Sequence, residues 1–296
     1  LCGGIILALV YSGGTGKFTV ALQIYLPLFV SVVLIHVIGL LDDFANLRAR
    51  YKLVAQIVIG IIIVISGRHF SAVSIPFFDM TVELGFFGPV LTLFWVIGVT
   101  NAVNLIDGLD GLSGGVSAIG FFFLGLGGLA LENELGAMAG FLVFGASLAF
   151  LYYNYPPARI FMGDSGSLFL GVMASILPFY SLPSPATRGF VLLLAATLFI
   201  VPILDTLAAI FRRNRKRKPF YTPDQEHLHH KLLACGASNK TILMILYGIT
   251  FLAAITVYWW LLTRSTVAML ALMSVWIGTL FFFYYMHRKV NSRPCS

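Results

Sequence analysis

Ten apolar runs follow one another along the chain and are separated by short polar segments. They lie at about 1–13, 17–40, 53–66, 86–100, 114–131, 137–153, 167–183, 188–210, 241–262 and 267–286. A helix needs roughly 20 apolar residues to cross a bilayer, so this pattern predicts about ten transmembrane helices. Several runs are shorter than a full span, which is tolerated where the backbone is buried within protein.

The polar segments between the runs divide the charges unequally. Alternate loops, taken as one set, hold fifteen of the 19 Lys and Arg residues, and the other set holds Lys17, Arg68, Arg188 and Arg264. The positive-inside rule therefore predicts that the first set faces the cytoplasm. The same side holds eight acidic residues: Asp42, Asp43, Asp107, Asp110, Asp164, Asp205, Asp224 and Glu226. Several lie at helix ends among apolar neighbours, where a charge is costly, so they are functional candidates.

Composition agrees with this reading, because 59% of the residues are hydrophobic and only 10% are charged, against about 25% in soluble proteins. The expected fold is an all-α integral membrane protein that forms one polytopic domain over residues 1–296. Segment 72–84 is the exception, since its loose alternation around Pro76 and Asp79 predicts a short external β-hairpin. The net charge of +7 belongs mainly to the cytoplasmic loops, and no nucleic-acid partner is expected.

Two adjacent carboxylates, Asp42 and Asp43, end the second apolar run. They repel each other and are partly desolvated, so at least one pKa is raised unless a cation lies nearby. The pair is interpreted as a base or as a neighbour of a metal site, and the alternative is the start of a solvated loop. His36, in the same run, is expected to be a satisfied core residue.

Four side chains with oxygen atoms recur at a spacing of three residues in segment 101–112: Asn101, Asn104, Asp107 and Asp110. This spacing places them on one helix face, and the glycine after each aspartate allows a tight turn. Such oxygens suit a hard cation such as Mg²⁺, which takes one or two protein ligands together with phosphate oxygens and water. The alternative is helix capping by Asn and Asp.

A Gly- and Ser-rich turn surrounds Asp164 in segment 161–168, just before another apolar run. Asp164 is well placed to cap the helix that follows. The backbone N–H groups of such a turn also favour an anion. Both interpretations can hold together.

The last long polar segment combines a basic run at 212–218 with His227, His229 and His230, and Asp205 lies just before it. The basic run is alternatively a topology anchor attracted to anionic lipid. A zinc site is conceivable, but no Cys or further His completes it. The histidines are better suited to contacting phosphates or to transferring protons.

Together, these segments resemble the polyprenyl-phosphate N-acetylhexosamine-1-phosphate transferases. The similar stretches, in the family's order, are Leu41-Asp42-Asp43, segments 101–112 and 161–168, Pro202-Ile203-Leu204-Asp205-Thr206 and the His-Leu-His-His sequence at 227–230. Members that use the muramoyl-pentapeptide substrate carry three consecutive histidines. Here Leu228 interrupts them, which resembles the bacterial N-acetylglucosamine-1-phosphate branch.

The resemblance implies a reaction in which undecaprenyl phosphate attacks the β-phosphate of UDP-GlcNAc and yields undecaprenyl-diphosphate-GlcNAc and UMP. This is the first membrane step of a cell-envelope polysaccharide or teichoic acid. Mg²⁺, with Mn²⁺ as an alternative, would bridge the diphosphate. The implied location is the bacterial inner membrane, among membrane lipids, with the active site facing the cytoplasm. A homodimer, and direct attack as opposed to a covalent aspartyl intermediate, are left open.

The resemblance also implies roles for individual residues. Asn104 and Asp164 would hold the metal. The expected substrate contacts are Asn101, Asp110, Asn154, Phe161 and Arg212, with Phe161 stacked on uracil. The expected catalytic residues are Asp42, Asp43, Asp107, His227, His229 and His230, with Asp42 deprotonating or orienting the lipid phosphate.

The start of the sequence is where it departs from the family pattern. Family members open with one more membrane helix and a cytoplasmic basic stretch that ends in Pro-x-x-Gly-Gly. The sequence Leu1-Cys2-Gly3-Gly4 is similar to the end of that stretch. The expectation is therefore that the first helix and the basic stretch are missing from this sequence.

Three other functions compete with this one. A transporter or channel requires polar residues near mid-bilayer, whereas the predicted spans are nearly free of charge. A CDP-alcohol phosphotransferase requires Asp-Gly-x-x-Ala-Arg, whereas Leu109 and Asp110 follow Asp107-Gly108 here. Within the family, the muramoyl-pentapeptide substrate of peptidoglycan synthesis is the alternative.

Overall fold

The computed structural model describes residues 15–78, 80–184, 187–215 and 227–291, which contain twelve helices and two strands. In chain order they are α1 (Thr15–Ala45), α2 (Ala49–Ile65), β1 (Ala72–Ile75), β2 (Met80–Glu83), α3 (Phe87–Leu105), α4 (Leu112–Ala130), α5 (Glu134–Asn154), α6 (Gly163–Ile176), α7 (Pro178–Ser181), α8 (Val191–Leu198), α9 (Ile200–Arg215), α10 (Leu228–Ala234), α11 (Asn239–Thr263) and α12 (Thr266–Asn291). Apart from the run 1–13, which lies outside the described residues, every predicted apolar run falls on a helix or a pair of helices.

Within the described ranges, six helices are long and apolar enough to cross a membrane: α1, α3, α4, α5, α11 and α12. Helices α8 and α9 meet at an angle of 89° and give a seventh candidate if the pair is one span. The expected count of about ten is not confirmed.

Two predicted spans correspond to shorter helices. Helix α2 has 17 residues and α6 has 14, and α6 is enclosed by protein along most of its length. An apolar run shows that water is excluded, but it does not show whether lipid or protein excludes it.

Helix α6 lies at the centre of the fold and packs against α1 and α3. Small residues allow these close contacts. A Cβ added at Gly39 of α1 would lie 2.4 Å from the Cα of Ser165, and one at Gly171 of α6 would lie 2.6 Å from the carbonyl oxygen of Thr100. In a membrane, close backbone approach replaces the hydrophobic driving force between helices. The first turn of α6 is therefore held against the ends of α1 and α3.

The two ends of the helix bundle differ in charge. At one end the termini of α1 to α6 meet α10 and the start of α11, and this end carries most of the basic residues that the structure describes. The opposite end carries Arg68, Arg188, Arg264 and the predicted β-hairpin. The hairpin is confirmed, with Ala72 opposite Glu83 and Ile75 opposite Met80. Asp79 lies outside the described residues.

His36 does not lie in the core, so that prediction was wrong. Its side chain is exposed on α1, on the same side as Val33, Val37 and Leu40. Apolar side chains face lipid as well as protein in a membrane helix, so the sequence pattern of α1 does not mark its inner face.

The contact between α6 and α3 can be tested by adding a single methyl group. We expect Gly171→Ala to lower the free energy of unfolding by about 1–3 kcal/mol, because the new Cβ meets backbone atoms of Thr100. The control is Gly98→Ala in α3, where nothing lies within 4 Å of the added atom and the better helix propensity of Ala makes the change neutral or stabilising. Unfolding in detergent is the measurement, and equal stability of both variants would contradict this packing.

Candidate active site

Three charged side chains from three helices meet at the basic end of the bundle. Lys52 Nζ, from the first turn of α2, lies 3.0 Å from Asp42 Oδ2 at the end of α1 and 2.5 Å from Asp164 Oδ2 in the first turn of α6. The three side chains are between 12% and 29% exposed. The ammonium group therefore offsets the repulsion between two carboxylates that come from distant parts of the sequence.

Asp43 caps α6 from another helix. Its carboxylate accepts hydrogen bonds from the backbone N–H groups of Asp164, at 2.7 Å, and of Ser165, at 3.1 Å. Gly163 allows this approach, because its φ is +63° and a Cβ there would lie 2.9 Å from both Asp43 oxygens. The unpaired N–H groups at a helix start favour such an anion. Asp164 itself lies inside the helix and does not act as the cap.

Asn104 and Asp164, the expected metal pair, lie side by side. The side-chain amide of Asn104 donates to Ser167 Oγ at 2.8 Å and to Asp164 Oδ1 at 3.4 Å, and Ser167 donates in turn to the carbonyl of Gly163. Because an amide can be rotated by 180° in such a site, its oxygen can face Asp164 instead. The arrangement agrees with the expected pair, and the metal role of both residues stays a prediction.

The chemistry of these donors fits a small, hard cation. Across the described ranges, no three His, Cys, Asp or Glu side chains come together as a metal site, so the zinc alternative gains no support there. Mg²⁺ needs only one or two protein oxygens when phosphate and water complete its shell. Asp164 and Asn104 can supply these oxygens. Lys52, which contacts Asp164 in this structure, would then share that carboxylate with the metal ion.

Asp107 lies in the turn after α3, close to other carboxylates. Burial, together with the charges of Asp164 and Asp110, raises its pKa from 3.8 to about 7. Such a group can accept and release a proton near neutral pH. The expected single helix face is wrong in part, because α3 ends at Leu105 and both Asp107 and Asp110 lie beyond it.

Asn154 joins two loops at the site: a first loop before α4, which contains Gly111, and a second loop between α5 and α6, which contains Ile160. Its Oδ1 accepts the N–H of Gly111 at 2.8 Å, and its Nδ2 donates to the carbonyl of Ile160 at 2.8 Å. Asp110 reaches the same second loop, with its Oδ2 3.4 Å from the N–H of Ala158. Asn154 is buried and thus positions the loops, whereas Phe161, at 80% exposure, presents an open ring at the end of the second loop.

Asn101 is engaged between two helices rather than in the loops. Its amide and that of Gln56 exchange hydrogen bonds of 2.8 and 3.3 Å, and Asn101 Nδ2 also donates to the carbonyl of Ile97. Gln56 is 1% exposed. The geometry therefore favours a role in packing α2 against α3, and the substrate contact expected of Asn101 stays a prediction.

The histidines lie at the beginning of α10 and are held there by Asp205 of α9. Asp205 Oδ2 lies 2.8 Å from His227 Nδ1, and Asp205 Oδ1 accepts the N–H of Leu228 at 2.9 Å. The His227 and His229 rings are parallel, with centroids 6.0 Å apart, and the His230 ring lies 4.2 Å from that of His229. Asp205 therefore orients His227. The neighbouring rings of His229 and His230 pack next to it in turn.

His229 faces the turn that carries Asp107. Its Nε2 lies 3.0 Å from the position of a Cβ on Gly108, and this buried nitrogen has no hydrogen-bond partner among the described residues. Burial, with the neighbouring His230, lowers the pKa of His229 to about 4. His229 is therefore neutral at pH 7.

Arg212 lies at the end of α9, and its guanidinium contacts His287 of α12. This contact directs it toward α12, and its expected role in binding substrate stays a prediction. Lys216, Arg217, Lys218, Asp224 and Glu226 lie outside the described residues.

The sequence interpretation missed Lys52, Gln56 and Tyr247. Tyr247 of α11 donates to the carbonyl of Gly111 at 2.5 Å and supports the turn at the start of α4. A signal existed only for Lys52, because the repulsion between paired carboxylates calls for a nearby cation. Lys52, which directly precedes the apolar run 53–66, was counted only as a topology signal.

Comparison with known proteins places the chain in a family. The sequence profile described as "Glycosyl transferase family 4" matches residues 25–181, which is more than half of the chain. The chain belongs to glycosyl transferase family 4. The matched range contains Asp42, Asp43, Lys52, Asn104 and Asp164, so the carboxylate cluster falls within the family's own region.

Three relatives of this family are similar over most of the chain. A Bacillus subtilis protein described as "probable undecaprenyl-phosphate N-acetylglucosaminyl 1-phosphate transferase" is 38% identical, over 85% of this chain and 69% of its own length. The phospho-N-acetylmuramoyl-pentapeptide-transferase of Listeria monocytogenes is 33% identical, over 85% of this chain and 78% of its own. The decaprenyl-phosphate N-acetylglucosaminephosphotransferase of Mycobacterium tuberculosis is 34% identical, over 71% and 57% respectively.

The contribution of Lys52 to charge balance can be tested by measuring the free energy of unfolding in EDTA, where no divalent metal replaces it. We expect Lys52→Met to lower the free energy of unfolding by about 1–3 kcal/mol, because it leaves Asp42 and Asp164 without their shared cation. Arg50→Met is the control, since exposed Arg50 contacts only the ring and hydroxyl of Tyr51 among the described interactions, and its loss should change stability by less than about 0.5 kcal/mol. An equal effect of both variants would exclude the proposed charge balance.

The raised pKa of Asp107 predicts a pH-dependent stability. The unfolded chain releases this proton near pH 3.8 and the folded chain near pH 7, so the contribution of Asp107 to stability falls as pH rises between these values. Asp107→Asn removes that loss. In EDTA, the stability of the variant relative to wild type should rise from pH 4 to pH 7 and then level off, with an upper limit of about 4 kcal/mol. A difference that is flat over this range would contradict the burial of an ionised Asp107.

Proposed function

We propose that this chain transfers N-acetylglucosamine-1-phosphate from UDP-GlcNAc to undecaprenyl phosphate and releases UMP. The observation that carries the proposal is the meeting of Asp42, Lys52 and Asp164 beside Asn104 at the basic end of a membrane-embedded bundle. Electrostatic positioning is the main task in phosphoryl transfer, and this cluster combines a cation with several oxygen donors. The name of the B. subtilis relative agrees with the choice of sugar and lipid.

In this proposal, Asn104 and Asp164 hold Mg²⁺, which neutralises charge on the diphosphate when it is bound. Lys52 contacts phosphate oxygens from the other side, and Asp42 orients the lipid phosphate or accepts its proton. Asp43 fixes the first turn of α6, so that Asp164 keeps its place. Phe161 offers its exposed ring to the uracil.

The proposed reaction forms one bond and breaks one bond. An oxygen of the lipid phosphate forms a bond to the β-phosphorus of UDP-GlcNAc, and the bond from that phosphorus to the oxygen shared with the α-phosphate breaks. UMP leaves with that oxygen. His229 is neutral, and its buried Nε2 lies against the Asp107 turn. The hydrogen bond that we propose from it to the diphosphate adds no charge and requires this turn to move.

The basic end of the bundle is proposed to face the cytoplasm, where a nucleotide sugar is available. The unequal distribution of Lys and Arg supports this orientation. Helix α2, at 17 residues, measures about 26 Å at 1.5 Å per residue and is proposed to lie in the membrane as well, as are α6 and α7. These segments, together with the run 1–13, would account for a total near ten.

The muramoyl-pentapeptide nucleotide is the second candidate substrate. A relative of that name matches 85% of the chain. Two observations favour UDP-GlcNAc, namely the higher identity to the B. subtilis protein and Leu228, which interrupts the histidines.

Exchange of labelled UMP into UDP-GlcNAc tests the reaction directly, in membranes that contain the full-length protein. We expect exchange to require both undecaprenyl phosphate and Mg²⁺. Asp164→Asn should reduce it by about 100-fold or more while leaving the protein folded. Glu83→Gln is the control, because Glu83 lies on the hairpin at the opposite end and pairs with Arg188, and it should leave exchange unchanged. Exchange that persists in EDTA, or that occurs only with the muramoyl nucleotide, would refute the proposal.

A further inference from the structure

A groove of about 600 Å³ opens between α9 and α12, and it shares no residue with the carboxylate cluster. We call it the α9–α12 groove. Its α9 wall carries Leu207 and Phe211, and its α12 wall carries Leu280 and Tyr284. All four are between 49% and 69% exposed. Each pair is four residues apart, so each wall is a continuous apolar stripe along one helix face.

The same two stripes become basic at their ends. Arg212 and Arg215 continue the α9 wall, and His287 and Arg288 continue the α12 wall. Among the residues that the structure describes, no acidic side chain lines the groove. Arg288 lies over the ring of Tyr284, 5.6 Å from its centroid, and Arg212 contacts His287 across the two helices. The groove is therefore apolar along its length and cationic at its mouth, on both walls.

An occupant must match this division, with an apolar chain along the helices and an anionic group at the basic end. We infer that the α9–α12 groove binds an anionic phospholipid, with an acyl chain between the helices and its phosphate against Arg215 and Arg288. The volume lies within the usual range for ligand sites. A zwitterionic lipid fits less well, because the described lining of the groove offers two arginines to a phosphate and no carboxylate to a cationic headgroup.

The polyprenyl phosphate substrate is a different occupant. Its phosphate has to reach the cluster of Asp42, Lys52 and Asp164, and a phosphate held by Arg215 and Arg288 is bound by other residues. A bound lipid would also support α9, which carries Asp205 and so orients His227. The inference rests on the groove alone and does not depend on the proposed transferase reaction.

The test uses phosphatidylglycerol with a photoreactive diazirine on one acyl chain, added to the full-length protein in detergent. After irradiation, the labelled peptides are identified by mass spectrometry, and phosphatidylcholine with the same diazirine is the comparison. We expect the phosphatidylglycerol probe to label α9 and α12 at least about tenfold more strongly. Each arginine near a phosphate contributes about a fivefold preference, so Arg215→Gln with Arg288→Gln should reduce this labelling toward the level of phosphatidylcholine.

A second pair of variants tests the shape of the groove without changing charge. Ala208 lines the groove and Ile210 does not, so Ala208→Phe should block labelling while Ile210→Phe should leave it intact. The melting temperature of each variant shows whether it is folded. Equal labelling by both lipids, no labelling of α9 and α12, or displacement of the probe by an equal amount of undecaprenyl phosphate would each overturn the inference. Displacement would assign the groove to the lipid substrate.

Discussion

The site depends on the balance between one ammonium group and two carboxylates. Asp42 and Asp164 come from helices that are far apart in sequence, and Lys52 brings them together at 3.0 and 2.5 Å. Without this cation between them, the two partly buried carboxylates would repel each other. The arrangement is thus already suited to positive charge. Burial raises the pKa of Asp107 to about 7, and the negative charges of Asp164 and Asp110 add to this shift.

Helix packing determines where those charges lie. Gly39 and Gly171 allow α1 and α3 to approach α6 closely, and this approach places the first turn of α6 between Asp43 and Asn104. The cap provided by Asp43 fixes the same turn. Packing and electrostatics are therefore coupled, because a shift of α6 would move Asp164 away from both Lys52 and Asn104.

The sequence predicted much of this molecule but not the partners of each residue. The apolar runs marked the helices, and the alternation around Pro76 marked the hairpin, because both patterns are local. Tyr247 was missed because it acts through a contact with a distant segment that no local pattern encodes. Lys52 was missed because the paired carboxylates indicate that a cation is nearby but not which Lys or Arg supplies it. The sequence around Asn154 likewise did not indicate that its side chain bonds to the backbone of Gly111 and Ile160. Spacing grouped Asn104 with Asp107, but the end of α3 at Leu105 separates them into a helix and a turn.

We propose that Asp164 and Asn104 together bind a divalent cation. Mn²⁺ is a spectroscopic substitute for Mg²⁺, and its binding to the purified full-length protein can be followed by electron paramagnetic resonance. We expect one bound Mn²⁺ per chain that Mg²⁺ displaces, and loss of this signal in Asp164→Asn. Lys52→Met should bind Mn²⁺ more tightly than wild type, because it removes the competing ammonium group. Equal binding by wild type and Asp164→Asn would contradict a metal site at Asp164.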